Sequence, residues 1–320
     1  MIKANVYPSG SHILADVRGI WSRALADLGH TDPRVIALNA DLSRATFTDQ
    51  FKQELPDRFF NVGIAEQDMV GICAGLALKG KLPYAVTYAP FAAMRAGEQF
   101  RTDCCYQNLP VRLIGMAAGL SPAGATHSGI EDAGIIRTMP NAVVVSASEP
   151  KMVEKILNAS LSCPNPMYIR LGFGRGEQEI YDGDYDFAIG KAIEARPGKD
   201  ATLITFGTVL SDALKAAELL AVEGLDIQVI DMPTLKPIDK EAILEAAETT
   251  GTIITLEDHN IYGGLGSAVA EVLAEADIPC KFRRLGIPDC FAHFGSLPFL
   301  HGTYGYDAAA AVRALRELLA

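Results

Sequence analysis

The sequence lacks the features of a membrane, secreted or nucleic-acid-binding chain. No apolar run approaches the roughly 18 residues that a membrane-spanning helix needs, and the start MIKANVYPSGSHILADVRG has no charged segment followed by an apolar core. We therefore expect neither a membrane helix nor a signal peptide. Basic residues are outnumbered, with 28 Lys and Arg against 39 Asp and Glu. The net charge of −11 disfavours a broad surface for nucleic acid or anionic lipid.

Metal-binding cysteine patterns are also missing. The six cysteines form no CxxC pair, and no histidine stands at metal-ligand spacing from them. We therefore assign no metal ligands to this chain. The pattern indicates reduced thiols, as expected of a cytoplasmic protein.

What the sequence does contain is a regular alternation of strand-like and helix-like segments. Its 320 residues, 49% of them hydrophobic, are enough for two domains with sizeable cores. Near-continuous apolar runs predict buried parallel strands at RVIALNA (34–40), LPYAVTY (82–88), PVRLIGMA (110–117), NAVVVSAS (141–148) and MYIRL (167–171). Helical patterns separate them near 11–29, 48–55, 65–79, 91–105 and 150–160.

A second alternating set follows a glycine-rich, acidic segment at 172–200, which we interpret as a linker and crossing segment. It predicts strands at 201–207, 226–232, 252–258 and 279–286, with helices at 211–223, 239–249, 264–275 and 307–319. The fold class is therefore α/β, with two doubly wound parallel-sheet domains. We place the domains at 1–188 and 189–320.

Several polar residues follow predicted strands, where ligands bind in open parallel sheets. Asp41, Glu66, Phe91, Arg95 and His127 could converge on one rim. Each also has a structural interpretation: Asp41 could cap a turn, and Phe91 could belong to the core. Glu66 could be only a helix-start acid, because acids suit the positive end of the helix dipole, or a buried carboxyl group for proton chemistry.

Longer motifs make the chain resemble the transketolase family. NVGIAEQDMVGICAGLAL, YAPF and GATHSGIEDAGIIRTMPNAVVVSASEP are similar to the family's pyrimidine-binding domain. ATLITFGT, VIDMPTLKPID, LEDHNIYGGLGSAVAE and GIPDCFAHFG are similar to its C-terminal domain. The resemblance covers nearly the whole sequence, in the family's order.

The resemblance implies thiamine diphosphate as the cofactor and a second chain as partner. Full-length members begin with a domain whose Gly-Asp-Gly and Asn hold Mg²⁺ and the cofactor's diphosphate, and this sequence contains no convincing counterpart. We therefore expect the C-terminal subunit of a split transketolase. Its N-terminal partner would hold Mg²⁺, in an α₂β₂ heterotetramer.

The same resemblance implies roles for individual residues. Glu66 would hydrogen-bond N1′ of the aminopyrimidine, and Phe91 would stack on that ring. Tyr88 would be a second aromatic of the pocket, and Asp41 an acid near the cofactor. His127 would meet the donor's hydroxyl or carbonyl oxygen as a catalytic and substrate-binding residue.

Departures from the family pattern limit the substrate assignment. Ala123 stands where many relatives have an Asp, and Gly115 where transketolases often have a His. Met116 stands where the family's deoxyxylulose-phosphate synthase branch has an Arg. Phe173 replaces the second arginine of an Arg-Leu-Gly-Arg segment. These changes predict a substrate outside the standard pentose phosphates, or more contacts from the partner.

Three arginines remain as candidate substrate contacts. We expect Arg170 to contact an anion, Arg175 to substitute for the missing arginine, and Arg95 to lie near the synthase branch's arginine.

The expected activity is transfer of a two-carbon ketol unit from a ketose or ketose phosphate to an aldose. A deoxyxylulose-phosphate-type synthase, the β chain of a 2-oxo-acid dehydrogenase and a non-catalytic scaffolding subunit remain as alternatives.

Overall fold

The computed structural model describes residues 1–7, 14–172 and 177–320. Most strands within these ranges belong to two mainly parallel sheets. The strands are β1 (Ile2–Lys3), β2 (Leu14–Ala15), β3 (Val35–Asn39), β4 (Phe59–Asn61), β5 (Leu82–Tyr88), β6 (Arg112–Ala118), β7 (Val143–Ser146), β8 (Met167–Gly172), β9 (Glu177–Gln178), β10 (Ile193–Arg196), β11 (Ala201–Phe206), β12 (Ile227–Asp231), β13 (Thr234–Lys236), β14 (Thr252–Asn260) and β15 (Lys281–Ile287).

Helices connect the parallel strands. They are α1 (Val17–Thr31), α2 (Asp49–Glu54), α3 (Glu66–Leu78), α4 (Gly97–Gln99), α5 (Asp132–Arg137), α6 (Pro150–Ser160), α7 (Leu210–Ala221), α8 (Lys240–Thr250), α9 (Leu265–Ala276), α10 (Leu297–Tyr304) and α11 (Ala308–Leu319). Two π-helical segments, Phe91–Arg95 and Phe100–Cys105, flank α4, so that 91–105 is helical with widened turns at both ends. Short 3₁₀ turns form at Pro56–Arg58 and Ala125–His127.

The first sheet has seven strands in the order β13-β7-β8-β6-β5-β3-β4. All are parallel to their neighbours except β13, which runs antiparallel to β7. Every residue of β3 and of β6 is buried. Such strands need apolar residues on both faces, because helices cover both faces of a parallel sheet. This is why they were visible in the sequence as continuous apolar runs.

The second sheet has six strands in the order β1-β10-β12-β11-β14-β15. Its β1 comes from the very start of the chain, while β13 of the first sheet comes from the second half. The two sheets therefore exchange edge strands across the predicted boundary between residues 188 and 189. That boundary remains a prediction, but cutting the chain there would remove an edge strand from each sheet.

The predicted fold class, two α/β domains with mostly parallel sheets, is confirmed. The segment predicted as a linker contributes β9 and β10, which the acidic, glycine-rich composition concealed. All six cysteines are free, and none of the described helices is both long and apolar enough to cross a membrane.

Candidate functional site

The predicted site residues lie at the carboxyl edge of the first sheet. Tyr88 is the last residue of β5, Asp41 follows β3, and Glu66 follows β4. His127 lies in the loop after β6. Because these four strands are neighbours in the order β6-β5-β3-β4, their following loops meet at one rim.

Glu66 is both a helix-start residue and a buried carboxyl group, while its role in proton chemistry stays a prediction. It is the first residue of α3, and its side chain is only 4% exposed. Arg95 donates a hydrogen bond from its guanidinium to Glu66 Oε1 at 3.1 Å. The carboxyl group is therefore held in a nearly dry position beside one cation.

Arg95 also covers the ring of Phe91. Its guanidinium carbon lies 3.9 Å from the centre of that ring. The π-helical turn Phe91–Arg95, closed by the Ala96 N–H donating to the Phe91 carbonyl at 3.1 Å, places the two side chains together. Single π-turns of this kind occur often at functional sites. The sequence predicted a helix here but not its widened turn.

Two further rings contact Phe91 here. The ring centre of Tyr88 lies 5.8 Å from that of Phe91 and 5.4 Å from that of His127. The ring centres of Phe91 and His127 are 5.9 Å apart, and all three pairs have edge-to-face geometry. All three residues are half-buried. His127 Nδ1 is hydrogen-bonded to Thr126 Oγ1 at 2.9 Å. The sequence thus identified a set of side chains that the fold brings into contact.

Asp41 is exposed and adopts a left-handed backbone conformation, with φ of 60°. Asn61, at the end of β4, accepts hydrogen bonds from the Asp41 and Gly63 N–H groups, both at 3.0 Å, and donates to Asp41 Oδ1 at 3.1 Å. Asn61 therefore ties the Asp41 turn to the segment that leads into Glu66. Asn61 was not predicted as part of the site, because a lone Asn before Val-Gly is typical of an ordinary turn.

A cavity of about 460 Å³ adjoins Phe91 and Arg95. Its wall also includes Glu131, whose pKa is raised by burial and by the neighbouring Asp132. Phe291 and Ala292, from the loop after β15, line it from the second half of the chain. Glu131, Phe291 and Ala292 were not identified as site residues from the sequence, although Glu131 lies in the GIED segment four residues after His127.

Arg170 does not reach this rim, so its predicted substrate contact is replaced by a structural role. Its side chain is 2% exposed and forms an ion pair with Asp132 at 2.9 Å. It also donates to the carbonyls of Gly129, at 3.1 Å, and Asp258, at 2.6 Å. A guanidinium with these internal partners is not free to take a substrate anion. Arg175 and Phe173 lie outside the described residues.

Two departures from the family pattern have packing reasons. A Cβ atom at Gly115 would lie 2.1 Å from the hydroxyl of Tyr168, which donates to Asp132 Oδ2 at 2.7 Å. No larger residue fits at 115 without moving that ring. Met116 is 3% exposed and belongs to the core.

His259 is fully buried at the junction of the two halves. The Gly134 N–H donates to its Nε2 at 3.1 Å, so that Nδ1 carries the proton and donates to the Asn260 carbonyl at 2.7 Å. Burial lowers its pKa, in keeping with a neutral structural histidine. Within residues 1–7, 14–172 and 177–320, no group of three His, Cys, Asp or Glu residues is arranged to hold a metal ion.

The chain matches two known family models, one for each half. The family model described as "Transketolase, pyrimidine binding domain" matches residues 15–174, and "Transketolase, C-terminal domain" matches residues 190–310. The 6-deoxy-6-sulfo-D-fructose transketolase subunit SqwH of Clostridium sp. (strain MSTE9) is 36% identical over 304 residues, covering 94% of each chain. An apulose-4-phosphate transketolase subunit of Actinobacillus succinogenes is 37% identical over 277 residues, covering 86% of this chain and 89% of that protein.

Among solved structures, one described as a split gene transketolase, inactive beta4 tetramer, superposes with a TM-score of 0.87 and 40% identity. The match covers 95% of this chain and 98% of that one. Together with the two family models, it accounts for both halves of the chain in order. The chain therefore belongs to the transketolase family, as the C-terminal subunit of a split transketolase.

Proposed function

We propose that this chain supplies the pyrimidine-binding half of a thiamine-diphosphate site that is completed by an N-terminal transketolase subunit. The complex transfers a two-carbon ketol unit from a ketose to an aldose. The observation that carries the proposal is the arrangement of Glu66, Arg95 and Phe91. Thiamine diphosphate, when bound, supplies a carbon nucleophile able to cleave and re-form a carbon–carbon bond beside a carbonyl group.

The residues present fit the cofactor's aminopyrimidine ring. The Arg95 guanidinium is a flat cation that lies on the Phe91 ring and donates to the Glu66 carboxylate. An aminopyrimidine is likewise flat, and the same two side chains would hold it: the Phe91 ring on its face and the Glu66 carboxyl group at a ring nitrogen. The position of Arg95 supports this assignment of the pocket.

Glu66 holds the proton at N1′ of that ring. Its position at the start of α3, 4% exposed, keeps water from competing for the carboxyl oxygen. Phe91 supplies the stacking face and Tyr88 a second wall. Asp41, fixed by Asn61 at the same rim, lies where it can approach the cofactor from the β3 side.

His127 meets the substrate. Its Nδ1 is hydrogen-bonded to Thr126, so we assign Nε2 as the atom that binds the donor's hydroxyl or carbonyl oxygen. A neutral or protonated imidazole at that point can donate to an oxygen that gains charge. Once displaced from Glu66, Arg95 is close enough to the cavity to contact a substrate anion.

The partner subunit is proposed to cover this rim and to hold Mg²⁺ and the diphosphate. Large apolar side chains around the site support a covering surface: Ile64 is 78% exposed, Met94 50% and Phe291 75%. Grouped exposed apolar residues mark interaction sites. We propose an α₂β₂ heterotetramer, and the free thiols fit a cytoplasmic location.

The substrates are proposed to be ketoses outside the common pentose phosphates. Two relatives are named for unusual ketoses, one with a sulfonate and one with a phosphate. Ala123, which stands where many relatives have an Asp, favours the same view. In the transfer, the donor's C2–C3 bond breaks, an aldose two carbons shorter leaves, and the unit joins the acceptor's aldehyde carbon. These relatives' names favour ketol transfer over acetyl transfer from pyruvate.

The first test is calorimetric titration of the chain with thiamine diphosphate and Mg²⁺, alone and with a co-expressed N-terminal subunit. Tight, Mg²⁺-dependent binding only in the presence of the subunit is the expected result. The complex is then given ketoses ending in a hydroxyl, phosphate or sulfonate, plus a short aldose. Products two carbons longer and shorter identify ketol transfer, whereas carbon dioxide from pyruvate would identify the synthase alternative.

The second test replaces Glu66 by Gln. The variant retains size and polarity but cannot deliver a proton, so kcat is expected to fall by roughly 10²–10⁴-fold. Cofactor binding should be retained. Asp68→Asn, an exposed acid in the first turn of the same helix, is the matched control. Equal activity of Glu66→Gln and wild type would contradict the proposed role.

A further inference from the structure

The loop that carries His127 is an internally bonded unit. The Gly119 N–H donates to the Gly129 carbonyl at 2.8 Å and closes the base of the loop. Inside it, the Ser121 N–H donates to Ser128 Oγ at 3.1 Å. These bonds connect both ends of the loop with each other, so the groups that hold its base help to set where His127 lies.

Asp258 holds one side of that base, although it belongs to β14 in the second sheet. It is 5% exposed, and both of its oxygens accept from the Leu120 N–H, at 3.1 and 3.3 Å. Tyr306 donates to its Oδ1 at 2.9 Å. A Cβ atom at Gly119, where φ is +83°, would lie 2.0 Å from Asp258 Oδ2. The carboxylate and the loop base therefore fit together closely, and only glycine allows this approach.

Arg170 contacts the other side of the loop base and also contacts Asp258. One of its amino groups donates to the carbonyls of both Gly129 and Asp258, and its Nε pairs with Asp132. The loop base thus lies between a carboxylate from one half of the chain and a guanidinium from the other. We call Asp258, Tyr306 and Arg170 the interdomain clamp.

We propose that Asp258 is a positioning residue, which acts through the interdomain clamp to hold His127 against Tyr88 and Phe91. The effect on catalysis rests on the proposed function, whereas the effect on the position of His127 does not. The contacts of Glu66 and Phe91 with Arg95 lie within the first sheet's loops and do not involve the clamp. Loss of the clamp should therefore affect the step served by His127 and spare cofactor binding.

The variants follow from the hydrogen bonds. Asp258 Oδ1 accepts from both Leu120 and Tyr306, so Asp258→Asn can retain these two bonds, whereas Asp258→Ala loses them. Glu271→Gln is the control. It weakens the Arg137–Glu271 ion pair at 2.6 Å, which joins the same two halves away from the loop.

The first readout is the histidine NMR spectrum of the isolated, folded chain, with the His127 signal assigned by its loss in His127→Gln. Two aromatic rings within 6 Å of its ring centre displace this signal from that of a free histidine. Asp258→Ala should move it toward the free value or broaden it. Asp258→Asn and Glu271→Gln should leave it in place. An unchanged signal in folded Asp258→Ala overturns the proposal.

The second readout is the kinetics of the complete complex. Asp258→Ala should lower kcat by roughly 10–100-fold, the scale of a displaced catalytic group, with cofactor affinity unchanged and activity recovered in Asp258→Asn. An unchanged kcat, or a loss shared with Glu271→Gln, overturns the proposal. If Asp258→Ala does not fold, Tyr306→Phe carries both measurements with smaller shifts. A wild-type complex without cofactor-dependent activity refutes the proposed function, while the NMR signal still decides the clamp.

Discussion

Removing the Arg95 side chain should strengthen cofactor binding. In this structure Arg95 occupies both contacts that the aminopyrimidine ring is proposed to make, one on Phe91 and one on Glu66. The ring can bind only after the guanidinium has left. Arg95→Ala removes this competitor and leaves the pocket ready.

The size of the gain follows from how exposed the arginine is. Its side chain is 51% exposed, so the ion pair with Glu66 is partly solvated and is worth at most about 1 kcal/mol. A cation over an aromatic ring at such a site adds about 0.5–1 kcal/mol. The cofactor therefore gives up about 1–2 kcal/mol on displacing Arg95, which corresponds to roughly 5–30-fold tighter binding by Arg95→Ala.

The assay is calorimetric titration of the complete complex with thiamine diphosphate at saturating Mg²⁺. Arg101→Ala, an exposed arginine in the same helical stretch, controls for the loss of one positive charge. Weaker or unchanged binding by Arg95→Ala would refute the displacement argument. An unchanged cofactor affinity together with a raised KM for the ketose would instead identify Arg95 as a substrate contact alone.

Three further perturbations test other parts of the structure. Burial raises the pKa values of Asp231 and Glu257 to about 7, so the folded chain binds more protons than the unfolded chain between pH about 4 and 7. The free energy of unfolding should therefore fall as the pH rises through this window. Asp231→Asn should make the urea midpoint depend less on pH. Cys290 is exposed, whereas the other five cysteines are buried or half-buried, so one thiol should react in a fast phase with a disulfide reagent. Cys290→Ser should abolish this fast phase. Gly115→Ala should lower stability by about 1–3 kcal/mol through its clash with Tyr168, and Tyr168→Phe should recover part of the loss.

Elements with strong local signals were predicted well. β5 and α6 have the predicted bounds, 82–88 and 150–160, because a continuous apolar run and an amphipathic pattern each depend only on neighbouring residues. The edge strands β1 and β13 and their short neighbour β10 were missed. Their pairing joins segments far apart in the chain, and such short segments carry no periodicity of their own.

The site residues also divide into those that local sequence predicts and those whose surroundings come from distant segments of the chain. Strand order alone brings Glu66, Tyr88 and His127 to one rim, as expected from the sequence, and their roles at that rim stay predictions. The different positions of Arg95 and Arg170 were harder to predict. Arg95 follows a strand and reaches the rim, whereas Arg170 lies within β8 and is covered by the second half of the chain. Sequence spacing does not contain that covering layer, so both looked equally free to bind an anion.

That covering layer gives the two halves of the site different supports. Glu66, Phe91 and Arg95 contact one another through loops of the first sheet, so the two contacts proposed for the aminopyrimidine ring come from the first half of the chain. His127 depends on a loop whose base is held by Asp258. We therefore predict that substrate chemistry depends on the docking of the second half more strongly than binding of the ring does. A substitution that loosens the docking should separate the two functions, lowering turnover before it lowers cofactor affinity.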